Sequence, residues 1–413
     1  MSQVNTARLG AGFAKTLNTS LEENDVNINI NAETEGGEQE TPEVVETASE
    51  VDVDAVPLDT SETPEASELE VQEVQAEGDA VANDVEELDN SLDSLESIYF
   101  TLANVAAEGM EITPAFARMT HVAVDNAVGR FGLTTADCGV ASVESIELAP
   151  NAEIETSMEG IAETLKAGAS QLGALLDKLI ANLVEFLKSI LTGAGRTESR
   201  LNAVDKAVRE HKGAFGVAKV PAVLDGNIKA GDLGSILEVG KALVTTKYAD
   251  LAVLAKQADL TADQVSEAVV KSTRAFDKVK GTDALPGYTI GRTSEGAVSL
   301  ERREGTAKEV QLSQSEILAS IGVAKNMVKV AKDYDSAKGV RKQVSESIKG
   351  SIKEATADEK GLARLSARRK LVKIWTQQVN VEQRIVGTIV GYANAVGAAA
   401  ASTLRKADKK AEA

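Results

Sequence analysis

Cysteine is nearly missing from this chain. A single residue, Cys138, has no intrachain partner, so no internal disulfide can form and the protein matures in a reducing compartment or independently of oxidation. Aromatic residues make up only 3% of the sequence, with one tryptophan, Trp375. Any core must therefore be built from Ala, Val, Ile and Leu, the small side chains that let helices approach closely. Seven prolines in 413 residues leave room for long helices. Two histidines, His121 and His211, cannot form a Cys/His zinc cluster with one cysteine. Gly193-Ala-Gly195-Arg196 lacks the Lys-Ser/Thr ending of a phosphate loop, and there is no Gly-x-Ser-x-Gly elbow. The N-terminus has no apolar run of signal-peptide length. With no preorganised constellation in view, the chain is read as a structural protein, not an enzyme, with no cofactor and no metal.

Basic residues are missing from a long stretch: none lies between Lys15 and Arg118. Residues 1–159 hold 35 acidic and 4 basic residues, a net −31, and residues 160–413 hold 29 acidic and 40 basic, a net +11. The overall −20 thus hides two halves of opposite sign. A polyanionic segment tied to a polycationic one screens it from anionic partners, and its removal would free the cations for phosphates. Most carboxylates lie in the N-terminal half, where a flexible chain cannot hold a pair in place for acid–base chemistry.

Residues 19–90 are rich in Glu, Asp, Thr, Ser and Ala with scattered apolar residues, a composition that predicts disorder. The pattern changes at Leu88. Leu92, Leu95, Ile98, Tyr99, Leu102 and Val105 recur at helical spacing, and after Gly109 the pair Thr113-Pro114 opens a second helix that ends near Gly132. Four segments follow: an acidic disordered leader (1–87), a helical hairpin (88–133), an acidic loop-like and processable linker (134–159) and a basic helical body (160–413). The fold class is mainly α, an elongated helical bundle with a minor β-hairpin.

In the body, an amphipathic helix spans about 158–191, its apolar face marked by Leu165, Leu172, Leu176, Leu179, Leu183, Phe186 and Ile190, and the Gly193–Gly195 segment breaks it. Further helices are predicted at 196–212, 233–243, 249–257, 261–280, 313–354 and 358–409. Thr261 with Gln264 and Ser313 with Glu316 have the spacing of capping boxes. Tyr288–Arg292 and Ala297–Glu301 alternate in polarity and predict a β-hairpin. Ile385–Leu404 carries no charge over twenty residues, long enough to span a bilayer; its glycines and polar residues dilute it, and Gly387 and Gly391, one turn apart, suit close helix packing in a bundle or in a membrane alike.

At the charge boundary stands Ser157-Met158-Glu159-Gly160. Small-x-Glu triplets also occur at Ser94–Glu96, Ala106–Glu108, Ser142–Glu144, Ser145–Glu147, Ala48–Glu50 and Ala66–Glu68. This junction, the run SLDSLESIYFTLANVAAEGM…AFARMTHVAVDNAVGRFGL, and Leu285-Pro286-Gly287 followed by strand-like residues and two long helices resemble the internal head proteins of large tailed bacteriophages. The resemblance covers most of the region from Leu88 onward; the leader is similar in composition only. It implies a precursor made in the bacterial host cytoplasm and cleaved by the prohead protease, here after Glu159. The basic product would be retained inside the capsid with packaged double-stranded DNA, against the shell or other inner proteins.

Non-specific neutralisation of phosphates needs only cations. The candidates are Lys338, Arg341 and Lys342; Arg364, Arg368, Arg369, Lys370 and Lys373, a cluster with no acid within it; and Arg405 and Lys406. Two other readings remain open. A scaffold or core protein would be degraded throughout before DNA enters. A membrane-active protein would insert the helix at 158–191 or 385–404.

Overall fold

The computed structural model describes residues 65–411, save 111–112, 132, 149 and 358–363. Three helices make the frame. α1 (Glu65–Glu108) packs most extensively on α4 (Pro150–Glu210), and both pack on α10 (Leu365–Ala411). Between α1 and α4 come α2 (Pro114–Val128) and the short α3 (Val143–Leu148). Thr113 caps α2 by accepting the Phe116 N–H, with Pro114 in the first turn.

The start of α1 corrects the sequence reading. Disorder was expected to residue 90 and a structureless leader to 87, yet the chain is helical from Glu65. Val74, Val81, Val85, Leu88, Leu92, Leu95, Tyr99 and Leu102 repeat at three-, four- and seven-residue steps, a seam along one side of a helix. Val85, Leu88, Leu92 and Leu95 are fully buried. A single stripe suffices where a neighbour covers it, whatever the charge of the other faces. The rest of the predicted leader lies outside the described residues.

A second correction concerns 134–159. Only its first part, 134–142, is a turn: α3 follows, and α4 begins at Pro150 and runs unbroken through the junction. The same helix passes through Gly193 and Gly195, where a break was expected. Both glycines face open space while Ala194 between them is buried. Two helical glycines cost about 1 kcal/mol each, less than the burial of the continuous apolar face around them.

Beyond α4 the chain forms α5 (Ala230–Thr245), α6 (Ala249–Leu254) and α7 (Ala262–Ser272). Then come α8 (Gln314–Ser336), α9 (Lys338–Ala355) and α10. Both capping boxes form reciprocally, Thr261 with Gln264 and Ser313 with Glu316. The helix expected at 313–354 divides at Ala337, which turns α9 onto α6 and α4. The helix expected at 261–280 ends at Ser272 and continues as a 3-10 turn.

The predicted hairpin is present as β3 (Tyr288–Arg292) and β4 (Val298–Arg302), with Ile290 opposite Leu300. β2 (Gly281–Leu285) adds a third antiparallel strand, joined through Pro286-Gly287 with Gly287 at φ +69°, as a proline–glycine turn requires. A separate ribbon pairs β1 (Val217–Val220) with β5 (Lys308–Gln311). These strands lack the alternation that would have marked them.

α10 is the spine. Leu371, Val372, Trp375, Val379, Ile385, Ile389, Tyr392 and Val396 are all buried, and α1, α4, α7, α8, α9 and both sheets lie against it. Its apolar span, Leu365–Leu404, is long enough to cross a membrane by length and composition, and 67% of the most apolar window is buried within the fold. Buried apolar residues on most of its sides are what the centre of a bundle requires, and the charged residues among them find partners within the fold.

Candidate functional site

The junction comes first. Ser157, Gly160 and Thr164 form a stripe of small residues along α4, spaced to share one helix face. The turn at 134–141 docks onto that stripe. The Ala141 N–H donates to Ser157 Oγ at 3.0 Å, and Ser157 Oγ donates to the Glu153 carbonyl at 2.8 Å. Gly160 lies under Cys138-Gly139: a Cβ there would overlap the Cys138 carbonyl oxygen and come within 2.8 Å of Gly139 Cα. Thr164 Oγ1 bonds the Gly160 carbonyl at 2.9 Å. Cys138 is fully buried, and burial pushes its thiol up to about 11. His121 Nε2 bonds the Ala141 carbonyl, tying α2 to the same turn.

Ser157 and Gly160 therefore have packing reasons to be small. Of the four junction residues only Glu159 is exposed, and Met158 is half-buried against the core. The other triplets differ in setting. Leu95 and Glu96 are buried within α1, whereas Ala106–Glu108 is exposed at its end, beside Gly109 with φ +61°. Ser142 and Glu144 are exposed at the start of α3. Ala66–Glu68 falls in the first turns of α1, and Ala48–Glu50 lies outside the described residues.

The cations expected to meet DNA are mostly engaged within the fold. Arg369 is 1% exposed and, among the described residues, its bonds all go to α1: Asp89 at 3.0 Å, Asp93 at 3.3 Å, Glu96, and the Asp89 carbonyl at 2.8 Å. Burial lifts Asp89 and Glu96 above the usual carboxylate range despite the guanidinium beside them. Lys373 reaches Glu86 at 3.8 Å and Glu295 at 3.4 Å. Arg368 turns away, onto the Gln257 carbonyl at 3.1 Å, and burial followed by the nearby Arg364 lowers its pKa. The absence of acids within 364–373 does not predict free cations, because the acids come from a helix nearly three hundred residues away.

Arg341 is buried in a polar cluster. Its guanidinium bonds Glu382, itself 0% exposed, at 2.7 Å, and lies 4.1 Å from the centre of the Tyr334 ring. Tyr248 and Tyr334 donate to the same carboxylate, and Gln378 Nε2 is 3.4 Å from it. Burial works against the Arg341 charge, but Glu382 and the two phenols outweigh it and hold the proton more firmly than usual. Burial first, then Glu382, raises both phenols.

Lys338, Lys342 and Arg364 are exposed and Lys370 is half-buried. Lys338 pairs with Asp335 and Lys342 with Glu346. The side chains of Arg405 and Lys406 lie outside the described residues. Accessible cations that sequence reasoning missed include a group on α4 and α8: Arg196, Lys206 and Arg209 on the first, Lys329 and Lys332 on the second. Lys325–Asp205 and Lys332–Glu198, both at 2.7 Å, set these helices side by side. The spacing of Lys325, Lys329 and Lys332 at i, i+4 and i+7 marked that face. Among the described residues, no group of His, Cys, Asp or Glu is arranged to hold a metal ion.

Fold and site together define a mainly helical protein in which an acidic N-terminal helix is fastened to a basic C-terminal one. The chain belongs to the phiKZ-like phage internal head proteins, whose family model matches residues 66–295, more than half of its length. It is thus an internal structural protein of a phage head, located within the capsid. The match begins in the first turn of α1, upstream of Leu88 where the sequence resemblance was drawn, and stops before β4 and the last three helices. Searches among curated proteins and among solved structures found no match.

Proposed function

We propose that this internal head protein is a precursor, cleaved after Glu159, whose basic body stays with packaged DNA through non-specific phosphate contacts. The observation that carries the reading is the change from −31 to +11 at residue 159. Contacts would begin on surfaces already exposed, the α4–α8 face with Arg196, Lys206, Arg209, Lys329 and Lys332, together with Lys338, Lys342 and Arg364. Such contacts need no base recognition and weaken steeply with salt. The role is structural, and the partners are the head protease and duplex DNA.

Mass spectrometry of purified mature particles tests the cut. The expected product starts at Gly160. Full-length chain in mature heads would refute processing, and loss of the whole polypeptide would favour a scaffold removed before packaging. Duplex binding by the particle-derived product, expected to fall steeply with salt, tests the DNA contact; salt-insensitive or absent binding would refute it.

A further inference from the structure

Among the described residues, the ion pairs between the two oppositely charged halves lie along one strip. On α1, Asp79, Glu86, Asp89, Asp93 and Glu96 fall within about 100° of one another around the helix, at 3.6 residues per turn. Facing them on α10 are Arg369, Lys373 and Arg384, confined to about 60° and spread over roughly 22 Å of helix. The order is antiparallel: Asp79 meets Arg384 at 2.5 Å, Glu86 meets Lys373, and Asp89, Asp93 and Glu96 surround Arg369. The upper end is pinned by side-chain amides, Asn380 Nδ2 to the Gly78 carbonyl at 2.6 Å and Asn182 Nδ2 to the Val74 carbonyl at 2.8 Å.

The geometry points to α1 acting as an internal stand-in for nucleic acid: its carboxylates occupy a phosphate-binding strip on α10, formed by Arg369, Lys373 and Arg384, which takes duplex DNA once α1 leaves. This rests on the DNA reading above and names the surface and its competitor. Arg369 is the sharpest evidence. Its charge is buried and, among the described residues, its partners are all on α1, so departure of α1 leaves a guanidinium that must find water or another anion. An Arg fork suits phosphate oxygens as well as carboxylates. Severing the chain after Glu159 does not by itself remove α1, because Leu88, Leu92 and Leu95 still hold it. DNA, as the competing polyanion, then assists its release.

The test uses the full chain with a specific protease site inserted after Gly109, where the backbone is exposed and a side chain would meet nothing. Intact and nicked protein are titrated with a short random-sequence duplex, and the α1 fragment is followed by size-exclusion chromatography. Nicking is expected to tighten DNA binding on the order of tenfold, steepen the salt dependence by about two to three counterions, Lys373 keeping Glu295 as a competing partner, and shed α1 as DNA is added. The nicked Arg369→Gln/Lys373→Gln/Arg384→Gln variant should lose that gain. Should that variant fail to fold, nicked Asp79→Asn/Asp93→Asn, altered only at exposed or half-exposed carboxylates, should shed α1 at lower DNA concentration. If DNA binds while α1 stays attached, or the gain survives loss of the three cations, the strip is refuted and the DNA reading stands. If neither intact nor nicked protein binds DNA, both fall.

Discussion

Gly160, the residue that would follow the proposed cut, is held small by packing. Its hydrogen faces the backbone of Cys138 and Gly139, which cannot move aside as a flexible side chain would. Gly160→Ala should destabilise the protein by about 1–3 kcal/mol, the usual range for overpacking, read by urea denaturation. The same variant should raise the reaction rate of Cys138 with a thiol reagent. In the native protein that thiol is buried and held protonated to about pH 11, so it reacts only when the turn lifts off α4. An unchanged rate would mean that the turn and helix are not coupled. Glu382 poses a different residue-scale question. Glu382→Gln removes the partner of a buried guanidinium and should cost about 3–5 kcal/mol. Adding Arg341→Met should recover most of the loss, and a double variant no more stable than the single would show that the cluster is held by shape and not charge.

At the scale of elements, α8 begins with a capping box whose acid is Glu316. The Ser313 N–H and hydroxyl donate to its carboxylate, and Lys229 lies 3.3 Å away. The Ser313 backbone bond, then its hydroxyl, hold Glu316 down to about 2, against an ordinary 4.5. A depressed acid stabilises the fold above its unfolded pKa and loses that contribution as pH falls through the folded one. The stability difference between the natural chain and Glu316→Gln should therefore be constant above about pH 5 and vanish progressively between 4.5 and 2, as followed by denaturant midpoints. A difference that persists at pH 2 would assign it to geometry alone. This box was legible because Ser-x-x-Glu is a local pattern, as were Thr113-Pro114 and the β3–β4 hairpin. The seam of α1 was also written in the sequence, but acids on the other faces hid it from a reading of composition. β1 and β5 were not legible: four-residue strands ninety residues apart are defined by each other and not by their own periodicity. The partners of Arg369 were out of reach for the same reason, since a run without acids says nothing about acids brought in by folding.

The whole molecule sets the order in which its backbone can be opened. Proteases need an extended segment, and a helix supplies one only by unwinding locally, at a free energy that rises with the packing around it. The bond after Glu159 lies within a 61-residue helix, roofed by the 134–141 turn, which is itself tied to α2 through His121. The bond after Glu108 lies at the exposed end of α1, and the bond after Glu144 in the first turn of a six-residue helix. A glutamate-specific endoprotease acting on the native full-length chain should therefore cut after Glu108 and Glu144 well before Glu159, with fragments timed by mass spectrometry. Gly160→Ala, by loosening the roof, should speed the third cut more than the first two. Immediate cleavage after Glu159 would show that the helix opens there independently of its cover. The ordered outcome would make the junction a late site, reached only after the segments that brace it are severed or displaced, so that the acidic half holds to the basic half until the surrounding hairpin has been dismantled.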